Sequence, residues 1–168
     1  MSKARGVTMP RAIVPYIRKF AAATTSPRAR FVLMHGQVWK RLGQRPAGMR
    51  LGRAKDCYKN ATNAVLDCPA WRYVEGYAHH RLGIIAEHAW AVDEQGRVIE
   101  TTWPDAGTAY FGVAFDEPAL RRAICATPCF CLLCRKALPR IAVDYARGCA
   151  AKQSPRGALT PRGLDRSE

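Results

Sequence analysis

Apolar and polar positions along the chain follow two periods, and the places where the period changes divide the sequence. A short amphipathic stretch around residues 11–23 reads as a helix. The apolar residues Phe31, Val32, Met34, Val38, Trp39 and Leu42 then recur at helical spacing and predict a second helix over 30–42. Residues 43–52 are rich in Gly, Pro and Arg and read as a connecting loop. Over 57–66 the apolar Ala61, Ala64, Val65 and Leu66 predict a helix, with Asp56 as its cap and Pro69 beyond its end. The period then falls to two, and strands are expected over 72–77, 84–93, 97–102 and 110–115. From 118 to 147 the pattern is helical again, interrupted at Pro128 and Pro139, and 154–168 is a polar stretch with the composition of a disordered tail. The pattern therefore predicts one α+β domain over 30–150, a helix packed on an antiparallel sheet with helical flanks. A basic, partly flexible arm over 1–29 and a disordered basic tail over 151–168 flank it.

Charge sharpens this division. The formal net charge is +14, from 27 basic and 13 acidic residues in 168. Residues 1–55 hold 13 basic and no acidic residues, 56–134 hold 6 and 10, and 135–168 hold 8 and 3. The excess belongs to the flanks. Basic flanks attract phosphate backbones or anionic surfaces by counterion release without reading sequence, and a nonspecific nucleic-acid contact is one expectation; a solvated arm is the other.

No apolar run approaches the roughly 20 residues needed to span a bilayer. The run 12–16 is too short for a secretory signal and contains Pro15. An Arg-rich transit peptide is the rival reading of the first 30 residues, and Pro10, Pro15 and Pro27 break its amphipathic stretches. Seven cysteines, an odd number without a signal, suit reduced thiols in a cytoplasm.

The residues that can carry chemistry lie between 57 and 103. Cys57 opens the predicted helix, where the positive end of the dipole favours thiolate; Lys55 adds a cation and Asp56 opposes it. Residues 87–93 form a strand that turns at Glu94-Gln95-Gly96 and returns over 97–103, with Gly96 suited to the left-handed position of the turn. If Asp93 pairs with Arg97, paired residue numbers sum to 190. Trp90 then faces Glu100, His88 faces Thr102, and His88 and Glu100 become diagonal neighbours on one face. A carboxylate so placed can accept the imidazole N–H and fix its tautomer. A slip of one residue would destroy the arrangement.

Cysteine at a helix start, then Glu87-His88-Ala89-Trp90 on a strand, then Glu100-Thr101-Thr102-Trp103 on the next, resembles the transglutaminase-like core of the papain-type superfamily, especially uncharacterised phage and bacterial members. The stretches 57–61, 73–78 and 110–113 share the resemblance, which covers about a third of the chain. It implies a papain-like fold in the cytoplasm of a bacterium or a phage-infected cell. Cys57 would be the nucleophile, His88 the general base and then acid, and Glu100 the orienting carboxylate. The implied chemistry is that of a peptidase, amidase or acyltransferase working through a thioester on a peptide, amide or protein substrate, without a cofactor. Where the family has Asp-Pro-Thr-Trp, this chain has Glu100-Thr101-Thr102-Trp103, a third member longer by one methylene. The alternative is a papain-like binding module without turnover.

Asn60, one turn after Cys57, can line the cleft or serve as a surface or capping residue. Trp90 and Trp103 suit core or cleft lining. Glu75, on a strand amid aromatics, suits a buried and paired carboxylate. His79 and His80 read as solvated loop residues. Cys125, Cys129, Cys131 and Cys134 fit C-x3-C-x-C-x2-C, but four ligands within ten residues wrap a metal with difficulty. The interleaved Phe130, Leu132 and Leu133 favour core packing, so no metal is expected there.

Overall fold

The computed structural model describes residues 13–41, 45–126 and 130–146. Its first element, α1 (Ile13–Thr24), buries Ile13, Ile17 and Ala21, one position per turn along a single stripe. The second, α2 (Pro27–His35), is started by the Ser26 hydroxyl, which accepts the Ala29 N–H at 3.3 Å, and by Pro27 in its first turn. Ala29 and Val32 are fully buried. The segment 13–29 is thus part of the core and corrects the expected arm. The inward stripe of α1 is only three residues, and its outward face carries Arg18 and Lys19. Residues 1–12 and the expected tail over 151–168 lie outside the described residues.

The helix expected over 30–42 ends at His35. Gly36 donates its N–H to the Val32 carbonyl at 2.8 Å, and a Cβ there would lie 2.4 Å from that oxygen, so the chain can leave the helix closely only at a glycine. Beyond it the period becomes two, and β1 (Gln37–Arg41) exposes Val38 and buries Trp39. Trp39 anchors the strand by donating its indole N–H to the Gly112 carbonyl at 2.9 Å.

The helix α3 (Cys57–Asp67) is followed by β2 (Arg72–His79), β3 (Ile85–Val92), β4 (Arg97–Ile99) and β5 (Ala109–Phe115), and then by α4 (Glu117–Ala126) and α5 (Leu138–Ala146). Pro139 sits in the first turn of α5 rather than interrupting a helix, because that turn needs no N–H from it. The strands close into a barrel in the order β1-β4-β3-β2-β5. All pairings are antiparallel except β1 with β4, where Lys40 lies opposite Arg97 and Arg41 opposite Val98. The expected helix on an antiparallel sheet is therefore a helix on a closed barrel. The unforeseen β1 is the strand that closes it.

Closure gives the sheet two buried faces. Trp39, Val74, Trp90, Val98 and Tyr110 fill the inside. Tyr77 and Phe111 point outwards towards α1 and the end of α2, and Tyr73 points outwards to donate its hydroxyl to the Phe130 carbonyl at 3.2 Å, while small residues on β3, Ala89 and Ala91, let Ala61 and Val65 of α3 approach closely. Gly76 pairs with Gly112 across β2 and β5. A Cβ on Gly112 would stand 2.8 Å from the Trp90 ring, so Gly112 leaves the space that Trp90 occupies, and one on Gly76 would stand 2.2 Å from the Phe111 carbonyl, so Gly76 lets β2 and β5 approach closely. Trp90 is 0 % exposed, so of the two expected places, core and cleft lining, it occupies the core.

Candidate active site

Each member of the expected constellation is delivered by a local feature of the chain. Cys57 is the first residue of α3, whose leading amides have no intrahelical acceptor. The Asp56 side chain makes no capping hydrogen bond, correcting the expected cap. What aims the helix is the turn before it. Lys55 adopts φ 71°, a left-handed conformation that costs a non-glycine residue about 1 kcal/mol. The Gly52 N–H donates to the Thr101 carbonyl at 3.0 Å, and Asn60 Nδ2 donates to the Arg53 carbonyl at 2.8 Å and to Thr102 Oγ1 at 3.0 Å. Asn60 thus clasps the approach to Cys57 against the residues that follow β4, and it also lines an open pocket of about 550 Å³ together with residues 46–52 and Thr101.

The β3–β4 hairpin has the register in which paired numbers sum to 190: Ala91 lies opposite Ile99 and Val92 opposite Val98. Gly96 holds φ 71° and the Asp93 N–H donates to the Arg97 carbonyl at 3.1 Å. Strand pairing stops at Ile99, yet the alternation brings His88 and Glu100 together. His88 Nε2 lies 3.1 and 3.0 Å from the two Glu100 oxygens, with His88 1 % and Glu100 5 % exposed. The Cys57 side chain lies within interaction range of the same imidazole and helps to raise it. With Nε2 taken by the carboxylate, Nδ1 is the nitrogen left for sulfur.

Glu100 is held from four directions. Besides His88 it accepts the N–H of Thr102 at 2.9 Å and of Trp103 at 3.1 Å, and the Tyr110 hydroxyl at 2.7 Å. Tyr110 in turn accepts the Gly107 N–H at 2.6 Å. The extra methylene that separates glutamate from aspartate is absorbed by this nest. Burial alone would raise the Glu100 carboxyl, but His88 and these donors outweigh it and hold the group below its ordinary value. Burial would likewise lower His88; the Cys57 and Glu100 hydrogen bonds and charges overcome it and push the imidazole up to about 9. The Trp103 ring stacks on the imidazole, centroids 3.9 Å apart and planes 10° from parallel, and His80 meets Trp103 edge-on at 4.7 Å. An indole face against an imidazolium favours the charged form and keeps water from it. His79 closes β2, its Nδ1 2.5 Å from Thr108 Oγ1. Both histidines are half-buried parts of the structure, which corrects the solvated reading.

A second buried charge lies on the outer face of the barrel. Glu75 is 0 % exposed and accepts the N–H groups of Leu132 at 2.9 Å and Leu133 at 2.7 Å, while Arg28 Nη2 approaches at 3.4 Å. Arg28 also donates to Glu87 at 2.6 Å and to the Cys131 sulfur at 3.3 Å, and its guanidinium lies over the Tyr58 ring. Burial raises the Glu75 carboxyl, with Arg28 and the Leu133 amide opposing, and burial raises the Cys131 thiol well above its usual range. Cys131 thus serves as a hydrogen-bonding member of this cluster. Cys125 is exposed on α4, and among the described residues no group of His, Cys, Asp or Glu could hold a metal ion; Cys129 lies outside them. Sequence reasoning missed Tyr110 as a partner of Glu100 and Arg28 as a partner of Glu75.

Among the described residues no helix is long and apolar enough to cross a membrane. Comparison with protein-family models, with curated proteins and with solved structures finds no match to this chain.

Proposed function

We propose that this protein is a metal-independent thiol hydrolase or acyltransferase of transglutaminase-like, papain-type design, acting on a peptide, amide or protein carbonyl in a cytoplasm. The observation that carries the reading is the buried His88–Glu100 pair, with Cys57 at a helix N-terminus acting on the same imidazole. In the proposed reaction the thiol proton passes to His88 and the sulfur attacks the carbonyl carbon. The oxyanion faces the leading amides of α3. As the intermediate collapses, His88 returns the proton to the departing amine, leaving a thioester on Cys57. Water or an amine then attacks, with His88 as base, and the thiol is regenerated. Glu100 keeps the imidazole in the orientation both steps need.

A binding module without turnover is favoured by one observation, the 9 % exposure of Cys57. Acyl trapping separates the two. With p-nitrophenyl acetate as donor, the thiol-enzyme reading expects an acetyl group mapped to Cys57 and released by hydroxylamine. It expects no such adduct in Cys57→Ser and formation roughly 100-fold slower in His88→Ala. Acetylation scattered over lysines and cysteines alike, and unaltered by either substitution, would leave the binding module.

A further inference from the structure

An open pocket of about 550 Å³ lies beside the candidate site, between the end of β1, the β2–β3 hairpin and the segment that follows Glu100. Three arginines line it: Arg41, Arg45 and Arg81. Two carboxylates line it as well. Asp105 pairs with Arg81 Nη1 at 2.5 Å, and Glu100 is already matched by His88. The balance is positive. Arg45 commits only Nη2, to the carbonyls of Trp103 at 3.3 Å and Pro104 at 2.9 Å, and Arg41 makes no side-chain hydrogen bond among the described residues. A guanidinium carries five N–H donors in a fork matched to a carboxylate, so most of this donor capacity is uncommitted. The pocket is also tied to the reacting groups, because Arg45 holds the backbone of the residue whose ring stacks on His88.

We propose that this pocket anchors the acidic side chains of a polypeptide, making a carboxylate-rich peptide or protein the substrate class of the Cys57 centre. The proposal rests on the thiol-enzyme reading given above. Two features favour a peptide over a nucleic acid. No aromatic ring lines the pocket among the described residues, so bases have nothing to stack on. The hairpin that carries Arg81 also exposes Leu82 and Ile84, apolar surface suited to neighbouring side chains of an extended peptide. The pocket is large enough to take several acidic residues.

The test measures binding of fluorescein-labelled hexaglutamate to the full chain carrying Cys57→Ser, so that acylation plays no part. The expected result is saturable, salt-sensitive binding, weakened roughly tenfold by Arg41→Gln with Arg81→Gln. The control pair Arg18→Gln with Lys19→Gln removes the same charge from the exposed face of α1 and leaves binding intact. Should the double variant lose structure, Arg41→Gln alone breaks no hydrogen bond among the described residues and reads the same effect in smaller measure. Equal losses in the pocket and control pairs would overturn the proposal in favour of attraction by the whole charged chain. An oligothymidylate of equal charge that displaces the peptide would overturn it in favour of nucleic acid. Absent peptide binding, where the wild-type chain acetylates at Cys57, removes the pocket assignment only; intact binding, where the wild-type chain does not acetylate, removes the thiol-enzyme reading only.

Discussion

Glu100→Ala lowers the pH at which His88 loses its proton from about 9 and destabilises the fold by about 3–5 kcal/mol. The cost is large because the substitution leaves an imidazole, the Tyr110 hydroxyl and the amides of Thr102 and Trp103 without their shared acceptor in a buried place. Tyr110→Phe removes one donor and leaves the Gly107 amide unpaired, so about 1.5–3 kcal/mol is expected, with a smaller change in the His88 titration. The pH dependence has two limbs. His88 is raised on folding, so its contribution is complete below its ordinary 6.5 and is lost as pH climbs through about 9. Glu100 is lowered, so its contribution is complete above its ordinary 4.5 and is lost as pH falls through its depressed folded value. The stability gap between the wild-type chain and Glu100→Ala is therefore widest between about 4.5 and 6.5 and narrows on both sides. Denaturant unfolding across pH, with NMR titration of the histidine ring, measures both. An unchanged His88 titration in Glu100→Ala would remove the carboxylate from its assigned role.

Glu75→Ala is expected to cost as much, about 3–5 kcal/mol, without touching the thiol centre directly. Arg28 would keep its charge with a side chain 11 % exposed, and the amides of Leu132 and Leu133 would lose their acceptor. Glu75→Gln should lose less, since its carbonyl can still serve one amide. A double substitution with Arg28→Met, which removes both charges together, should recover much of the loss, because an apolar replacement of a buried pair is often close to neutral. Additive losses in that double variant would show that Arg28 and Glu75 act independently.

The site was more legible in the sequence than the architecture around it. A two-residue period and one glycine in a three-residue turn are local information, and they sufficed to set the register that joins His88 to Glu100. Trp90 shows where local information stops. Its parity correctly puts it on the side of His88, but only closure of the barrel makes that side an interior, and closure depends on β1, whose Val38 and Trp39 fit a helical spacing equally well. Gly36 carried the signal that could have ended α2 early. Tyr110 and Arg28 were out of reach for another reason. Arg28 meets Glu75 between elements distant in the chain, and Tyr110 meets Glu100 across an irregular ten-residue connection; neither spacing nor composition encodes such pairings. Glu75 was readable as a buried acid from its aromatic neighbours, while its partner, 47 residues earlier, was not.

Activation of Cys57 by His88 is read by the rate of iodoacetamide alkylation of Cys57 as a function of pH, followed by peptide mapping in the wild-type chain and in His88→Ala. Cys57 is expected to react faster than the exposed Cys125 at pH 6, despite its burial, with the advantage abolished in His88→Ala. Alkylation of Cys57 no faster than that of Cys125 at any pH, and unaltered by His88→Ala, would contradict that activation.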